Sequence, residues 1–114
     1  MEKKIQRLLR NDGVKKVFVS GKRVSSPFFA LYIKENNLMC TRATVVVGAK
    51  INKKAVERNY IKRAMRGVME ELRPSLVMGY DIVIRVTSSV VYTMKHEKRR
   101  QELTTLFRRA KLLV

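Results

Sequence analysis

Apolar residues recur at helical spacing between Lys50 and Pro74, in KINKKAVERNYIKRAMRGVMEELRP, where Ile61, Ala64, Met65, Val68, Met69 and Leu72 share one arc of a 3.6-residue wheel. The pattern predicts the longest helix of the chain, about five turns, with that arc against a core. Asn52 is its expected cap, because a short polar side chain accepts the unpaired amide protons of a first turn, and Pro74 lies where the helix must already have ended. Arg58, Asn59, Lys62, Arg63 and Arg66 fall beside or opposite the apolar arc.

The other stretches are shorter. Ile5 to Leu9 is an apolar and basic run too brief to assign. From Asp12 to Ser20, Val14, Val17 and Phe18 stand at i, i+3 and i+4, which predicts a short helix stopped by Gly21. Lys22 to Ser25 reads as a strand broken by Ser26 and Pro27, and Phe28 to Lys34 as a second, with Asn36 and Asn37 turning the chain. A third strand runs from Leu38 or Thr41 to Val47, and its apolar end, Thr44 to Val47, is that of a strand covered on both faces. Ile82 to Val86 is the fourth.

After a polar link from Thr87, Thr93 is the expected cap of a last helix reaching Lys111, with Leu103, Leu106, Phe107 and Ala110 as its stripe. Traced backwards, that stripe meets His96, Arg99 and Arg100, so the C-terminal half should dock while the first turns project or lie near another basic surface. The order is αβββαβα. A strand, a long helix and a strand imply a crossover unit, so the expected architecture is an α/β two-layer sandwich with helices on a four-stranded sheet.

Charge changes this picture from a fold to a surface. The 26 Lys and Arg against 9 Asp and Glu give +17, which opposes compaction and favours a polyanionic partner. Fourteen basic residues lie in the first 60 positions and 12 in the rest, so the surface belongs to the folded domain, expected to be a single RNA-binding unit over residues 1–114, and not to a tail. The concentration is greatest on the long helix. Lys50, Lys53, Lys54, Arg58, Lys62, Arg63 and Arg66 are accompanied up to Arg66 by one acid, Glu57. A face sheathed by i, i+4 ion pairs would be ordinary solvation; this one is not sheathed and reads as a nucleic-acid face. Asn59, neutral among cations, suggests a specific polar contact or a brace for the preceding loop.

Other chemistry is sparse. The acids are scattered, His96 is the only histidine, and the five glycines lie singly, so neither a catalytic constellation nor a phosphate loop is built from sequence neighbours. Cys40 is the only cysteine, which excludes an intrachain disulfide and leaves a cysteine-based metal site nothing to build with. No run approaches a membrane span and MEKKIQRLLRNDG lacks a signal-peptide core, so a cytoplasmic protein without a membrane role is expected. Phe18, Phe28, Phe29 and Tyr32 supply rings. Successive Phe28 and Phe29 point to opposite sheet faces, so at least one should be core; core packing is the default for each ring, and a ring exposed beside cations is a platform for stacking unpaired bases.

The run AVERNYIKRAMR from Ala55 to Arg66, preceded by Val47 to Lys54 and followed by GYDIVI at Gly79 to Ile84, resembles the protein component of bacterial ribonuclease P. So do VSGKRV at Val19 to Val24, FALY at Phe29 to Tyr32 and TLFRRA at Thr105 to Ala110, so the likeness covers nearly the whole chain. The resemblance implies the αβββαβα fold with a left-handed crossover around the long helix. It further implies a noncatalytic subunit whose partners are a catalytic RNA and precursor tRNA with its 5′ leader, without an obligate protein partner. The endonucleolytic hydrolysis is then carried by the RNA with Mg2+ held mainly by RNA.

Carried over residue by residue, the family's RNR-type motif falls on Arg58, Asn59 and Tyr60. Lys62, Arg63 and Arg66 continue the RNA-binding face, and Lys50, Lys53 and Lys54 form its approach. A leader-binding cleft falls on Val14, Phe18 and Tyr32. The chain departs from the family pattern at Tyr60, in place of a second arginine, at Val14, where an aromatic is common, and at Ala49, where a lysine pair is usual. The competing expectation is a structural RNA-binding protein of ribosomal type, which shares the basic surface but needs no leader cleft.

Overall fold

The computed structural model describes residues 5–7 and 14–113. The elements run β1 (Ile5–Arg7), α1 (Lys15–Ser20), β2 (Lys22–Ser25), β3 (Phe29–Glu35), β4 (Thr41–Val47), α2 (Ala55–Leu72), β5 (Tyr80–Val86) and α3 (His96–Arg109), with 3₁₀ turns at Arg73–Ser75 and Ser89–Tyr92. The sheet order is β1-β4-β5-β3-β2. Four of these strands are the expected ones. Ile5–Arg7 adds a three-residue edge strand, parallel to β4 from Ile5 opposite Thr41 to Arg7 opposite Ala43. The start expected for the first helix, Asp12 and Gly13, lies outside the described residues.

β4 and β5 are adjacent and parallel, from Arg42 opposite Asp81 to Val47 opposite Val86, with α2 between them in sequence. That is the crossover unit the pattern called for. β3 is antiparallel to both β5 and β2. Period-two alternation then sorts the side chains. Phe29, Leu31, Ile33, Ala43, Val45, Val47, Ile82, Ile84 and Val86 point to one face, where α2 brings Ile61, Met65, Val68, Met69 and Leu72, and α3 brings Leu103, Leu106 and Phe107, into one buried cluster. The predicted apolar arcs are thus the buried ones, with Ala64 only half-buried at the edge.

The opposite face carries Ala30, Tyr32, Thr44, Val46 and Val83, and is only partly covered. The six-residue α1 lays Val17 on Val83, and Val14, Phe18, Tyr32 and Val46 pack around that pair. Gly21 makes the close approach of α1 and β3 possible: a Cβ there would stand 2.3 Å from the Val17 carbonyl oxygen and 2.8 Å from that of Ile33. One long side of the sheet is therefore a sealed core, and the other is a surface with a short helix across it.

Both helix caps differ from expectation. α2 begins after Lys54, in extended conformation and without a side-chain cap. Asn52 is buried instead and donates from Nδ2 to Glu57 Oε1, which ties the loop to the first turn. α3 begins after Lys95, and Thr93 donates its hydroxyl to the Val90 carbonyl inside the 3₁₀ turn. The link between β5 and α3 is accordingly not merely polar, since Val91 is fully buried in it.

Candidate nucleic-acid interface

The basic helix meets solvent along most of its length. Lys50, Lys53, Lys54, Asn59, Tyr60, Arg63 and Arg66 are exposed, while Arg58 and Lys62 are half-buried. The approach loop is held tightly. Gly48 accepts backbone hydrogen bonds from Ile51 and Asn52, and Arg58 Nη1 donates to the carbonyls of Asn52 (2.9 Å) and Lys53 (2.8 Å). Bracing, which the sequence suggested for Asn59, is done by Arg58 and Asn52. Asn59 points outward and makes no side-chain hydrogen bond among the described residues. With the loop pinned, three lysines crowd the N-terminal end of α2, where the aligned peptide dipoles already carry partial positive charge.

Between α1 and the sheet lies an open cleft of ≈ 420 Å³ lined by Val14, Lys15, Phe18, Thr44, Val46, Val47 and Lys62. Of the three expected cleft residues, Val14 and Phe18 line it. Tyr32 stands behind Phe18, with ring centroids 4.7 Å apart and planes at 76°. Arg23 covers Tyr32 at 5.7 Å from its centroid. The sequence marked Thr44 and Val46 only as part of a strand covered on both faces and did not assign them or Lys15 to a cleft, and the wall they build depends on strand register. Lys62 joins the cleft to the basic helix, since it belongs to both.

The one acid that the central strands place on this face is masked. Asp81 is buried and takes hydrogen bonds from Arg42 Nε (2.8 Å), Arg42 Nη2 (2.6 Å) and Asn36 Nδ2 (2.9 Å). Burial pushes its carboxyl up, but the hydrogen bonds from Arg42 and Asn36, with the charges of Arg42 and Lys34, outweigh that and hold it below the ordinary carboxylate value. The Arg42 guanidinium is raised in turn, chiefly by its hydrogen bond to Asp81.

At the other side of α2 the first turns of α3 are docked, contrary to expectation, and against an acid. Glu71 pairs with both His96 and Arg100. Arg99 is almost fully buried, donating from Nε to the Val91 carbonyl (2.9 Å) and from Nη2 to that of Tyr92 (2.8 Å). Its guanidinium stands 5.3 Å from the centroid of the Tyr60 ring, and Tyr60 meets Tyr92 edge to face at 5.5 Å. A cation at a position of the apolar stripe is a signal for such a buried role, but its partners are carbonyls that no sequence pattern marks.

Comparison with known proteins gives the family and the fold. The family model described as Ribonuclease P matches residues 1–111. The chain belongs to the ribonuclease P protein family. Ribonuclease P protein components to which it is similar include that of Ralstonia pickettii, 38% identical over 91% of this chain and 78% of the relative. Another, from Pseudanabaena, is 32% identical over 94% and 92%. The Staphylococcus aureus RNase P protein superposes with a TM-score of 0.85 at 23% identity, covering 97% of this chain and all of that one. The Thermotoga maritima RNase P protein does so at 0.82 and 24%, covering 91% and 96%, and both structures show the same fold.

As a ribonuclease P protein the chain is a noncatalytic RNA-binding subunit that assists precursor tRNA processing beside a catalytic RNA. Among the described residues no helix is long and apolar enough to cross a membrane. None of the described His, Cys, Asp and Glu residues gather in a group of three that would hold a metal ion.

Proposed function

We propose that α2 and its approach loop dock the catalytic RNA while the cleft between α1 and the sheet holds the 5′ leader of precursor tRNA, in a cytoplasmic holoenzyme. The observation that carries this reading is the junction at Lys62. An apolar floor of Val14, Phe18 and Val46 has Lys15 and Lys62 at its margins, and Lys62 lies on the helix that carries Lys53, Lys54, Arg63 and Arg66. Such a groove suits a single strand, whose bases take the apolar surface and whose phosphates take the cations. A ribosomal-type RNA-binding protein has use for the basic helix but none for this groove.

Magnesium, on this reading, is held by RNA phosphates. The chain contributes positive charge that relieves repulsion between two RNAs, and its masked or ion-paired carboxylates, Asp81 and Glu71, leave the hard oxygen ligands to the RNA. The test is the affinity of the reconstituted holoenzyme for precursors with and without a leader. Val46→Glu puts an anion on the cleft floor. It should abolish most of the preference for leader-bearing precursor while catalytic RNA binding persists, and an undiminished preference would remove the leader from the cleft.

A further inference from the structure

The outward face of α2 holds an arrangement that the positive charge of the helix does not explain. At about 100° per residue, Val56, Tyr60, Arg63 and Gly67 fall within about 60° of one another, on the side of the helix away from its buried arc. Val56 is 79% exposed and Tyr60 43%. A Cβ at Gly67 would have nothing within 4 Å, so packing does not demand a glycine there, although glycine weakens a helix interior relative to alanine. The result is a smooth strip of valine, ring and bare backbone, interrupted by one arginine.

Tyr92 joins the strip from outside the helix. It is 36% exposed and meets Tyr60 edge to face, and its backbone is fixed because Arg99 holds the carbonyls of Val91 and Tyr92 while capping the Tyr60 ring. A buried arginine therefore presets two partly exposed rings at a right angle. Rings held this way lose little freedom on binding, and a flat partner sliding against one of them meets the edge of the other.

We propose that Tyr60 and Tyr92 form a stacking site for one unpaired base of the catalytic RNA, with Gly67 leaving room for the strand to lie close to the helix and Arg63 meeting its phosphate. This rests on the reading that α2 faces the catalytic RNA. The charge around the strip selects the partner: Lys53 and Lys54 precede it and Arg66 flanks it, all exposed, so an RNA strand is drawn there and a basic or neutral protein surface is not. Unpaired bases, unlike those within a duplex, offer the flat face that a ring accepts. Tyr60 stands where the family pattern has an arginine, so a ring and hydroxyl replace a fixed charge at this position.

The test measures binding of the catalytic RNA over a salt series. Tyr92→Leu removes the ring and keeps apolar bulk. It should weaken binding roughly ten-fold, within the range that one stacked base contributes, and leave the salt slope unchanged because the ring bears no charge. Tyr92→Phe should bind as the unaltered protein does. Gly67→Leu should raise the melting temperature yet weaken binding, by filling the space the strand needs. Unaltered affinity in Tyr92→Leu and Gly67→Leu overturns the stacking site alone, whereas failure of the unaltered protein to bind catalytic RNA overturns the docking role of α2 as well.

Discussion

Two buried charges decide more than their number suggests. Arg99 links three elements through two carbonyls and the Tyr60 ring, so Arg99→Ala leaves those carbonyls unpaired and the ring unsupported. A loss of roughly 2–3 kcal/mol is expected, read as a lower urea midpoint with an unchanged slope. Asp81 contributes to the acid limit of stability. Its native pKa lies below the unfolded value of 3.8, so the unfolded chain binds the proton first as pH falls. The stabilisation is therefore complete above the unfolded value and is lost as pH falls through the native one. Asp81→Asn should flatten the acid limb of stability against pH, followed by circular dichroism, and an acid limb identical to that of the unaltered protein would assign it elsewhere. Neither role was legible in the sequence. Arg99 stood out as a cation on an apolar stripe, but whether such a residue is buried depends on acceptors seven and eight residues away on a different turn.

At the scale of elements, α1 is the vulnerable part, because six residues form too short a helix to hold itself and depend on Val17 and the Gly21 joint. Gly21→Ala forces a Cβ against two carbonyls. It should lower the melting temperature by several degrees, and should reduce leader-dependent affinity more than binding of catalytic RNA. Equal losses in both would mean that α1 does not wall the cleft.

The same joint shows what the sequence makes legible. Gly21 after a helical triplet, alternating strands bounded by Pro27 and Asn36, and a six-residue arc on α2 are local signals, and each element appeared within a few positions of its expected place. The caps did not. Asn52 and Thr93 are the right residue types two positions early, and nearby partners, Glu57 and the Val90 carbonyl, claim their side chains. Ile5–Arg7 becomes a strand only because β4 offers a free edge, a fact about the assembled sheet. For the interface, the cations were legible as a count on one helix. That Arg58 turns inward to the loop while Lys62 borders the cleft depends on backbone geometry.

As a whole the molecule is a sheet with one sealed face and one only partly covered, and its 26 Lys and Arg exceed its 9 Asp and Glu by 17. Self-repulsion at that charge opposes the native state, and polyanion binding relieves it, so fold and function are linked through the same cations. Among its described residues no three His, Cys, Asp or Glu gather to hold a metal ion. The chemistry falls to the catalytic RNA, and the protein brings two RNAs of like charge into register. The most direct test is single-turnover cleavage of leader-bearing precursor tRNA at low magnesium, comparing catalytic RNA alone, the protein alone and the two together. The account predicts slow cleavage by the RNA, none by the protein, and a large acceleration with the pair that shrinks when the leader is shortened to nothing beyond the scissile bond. Efficient cleavage by the protein alone, or no acceleration on adding it, would contradict it.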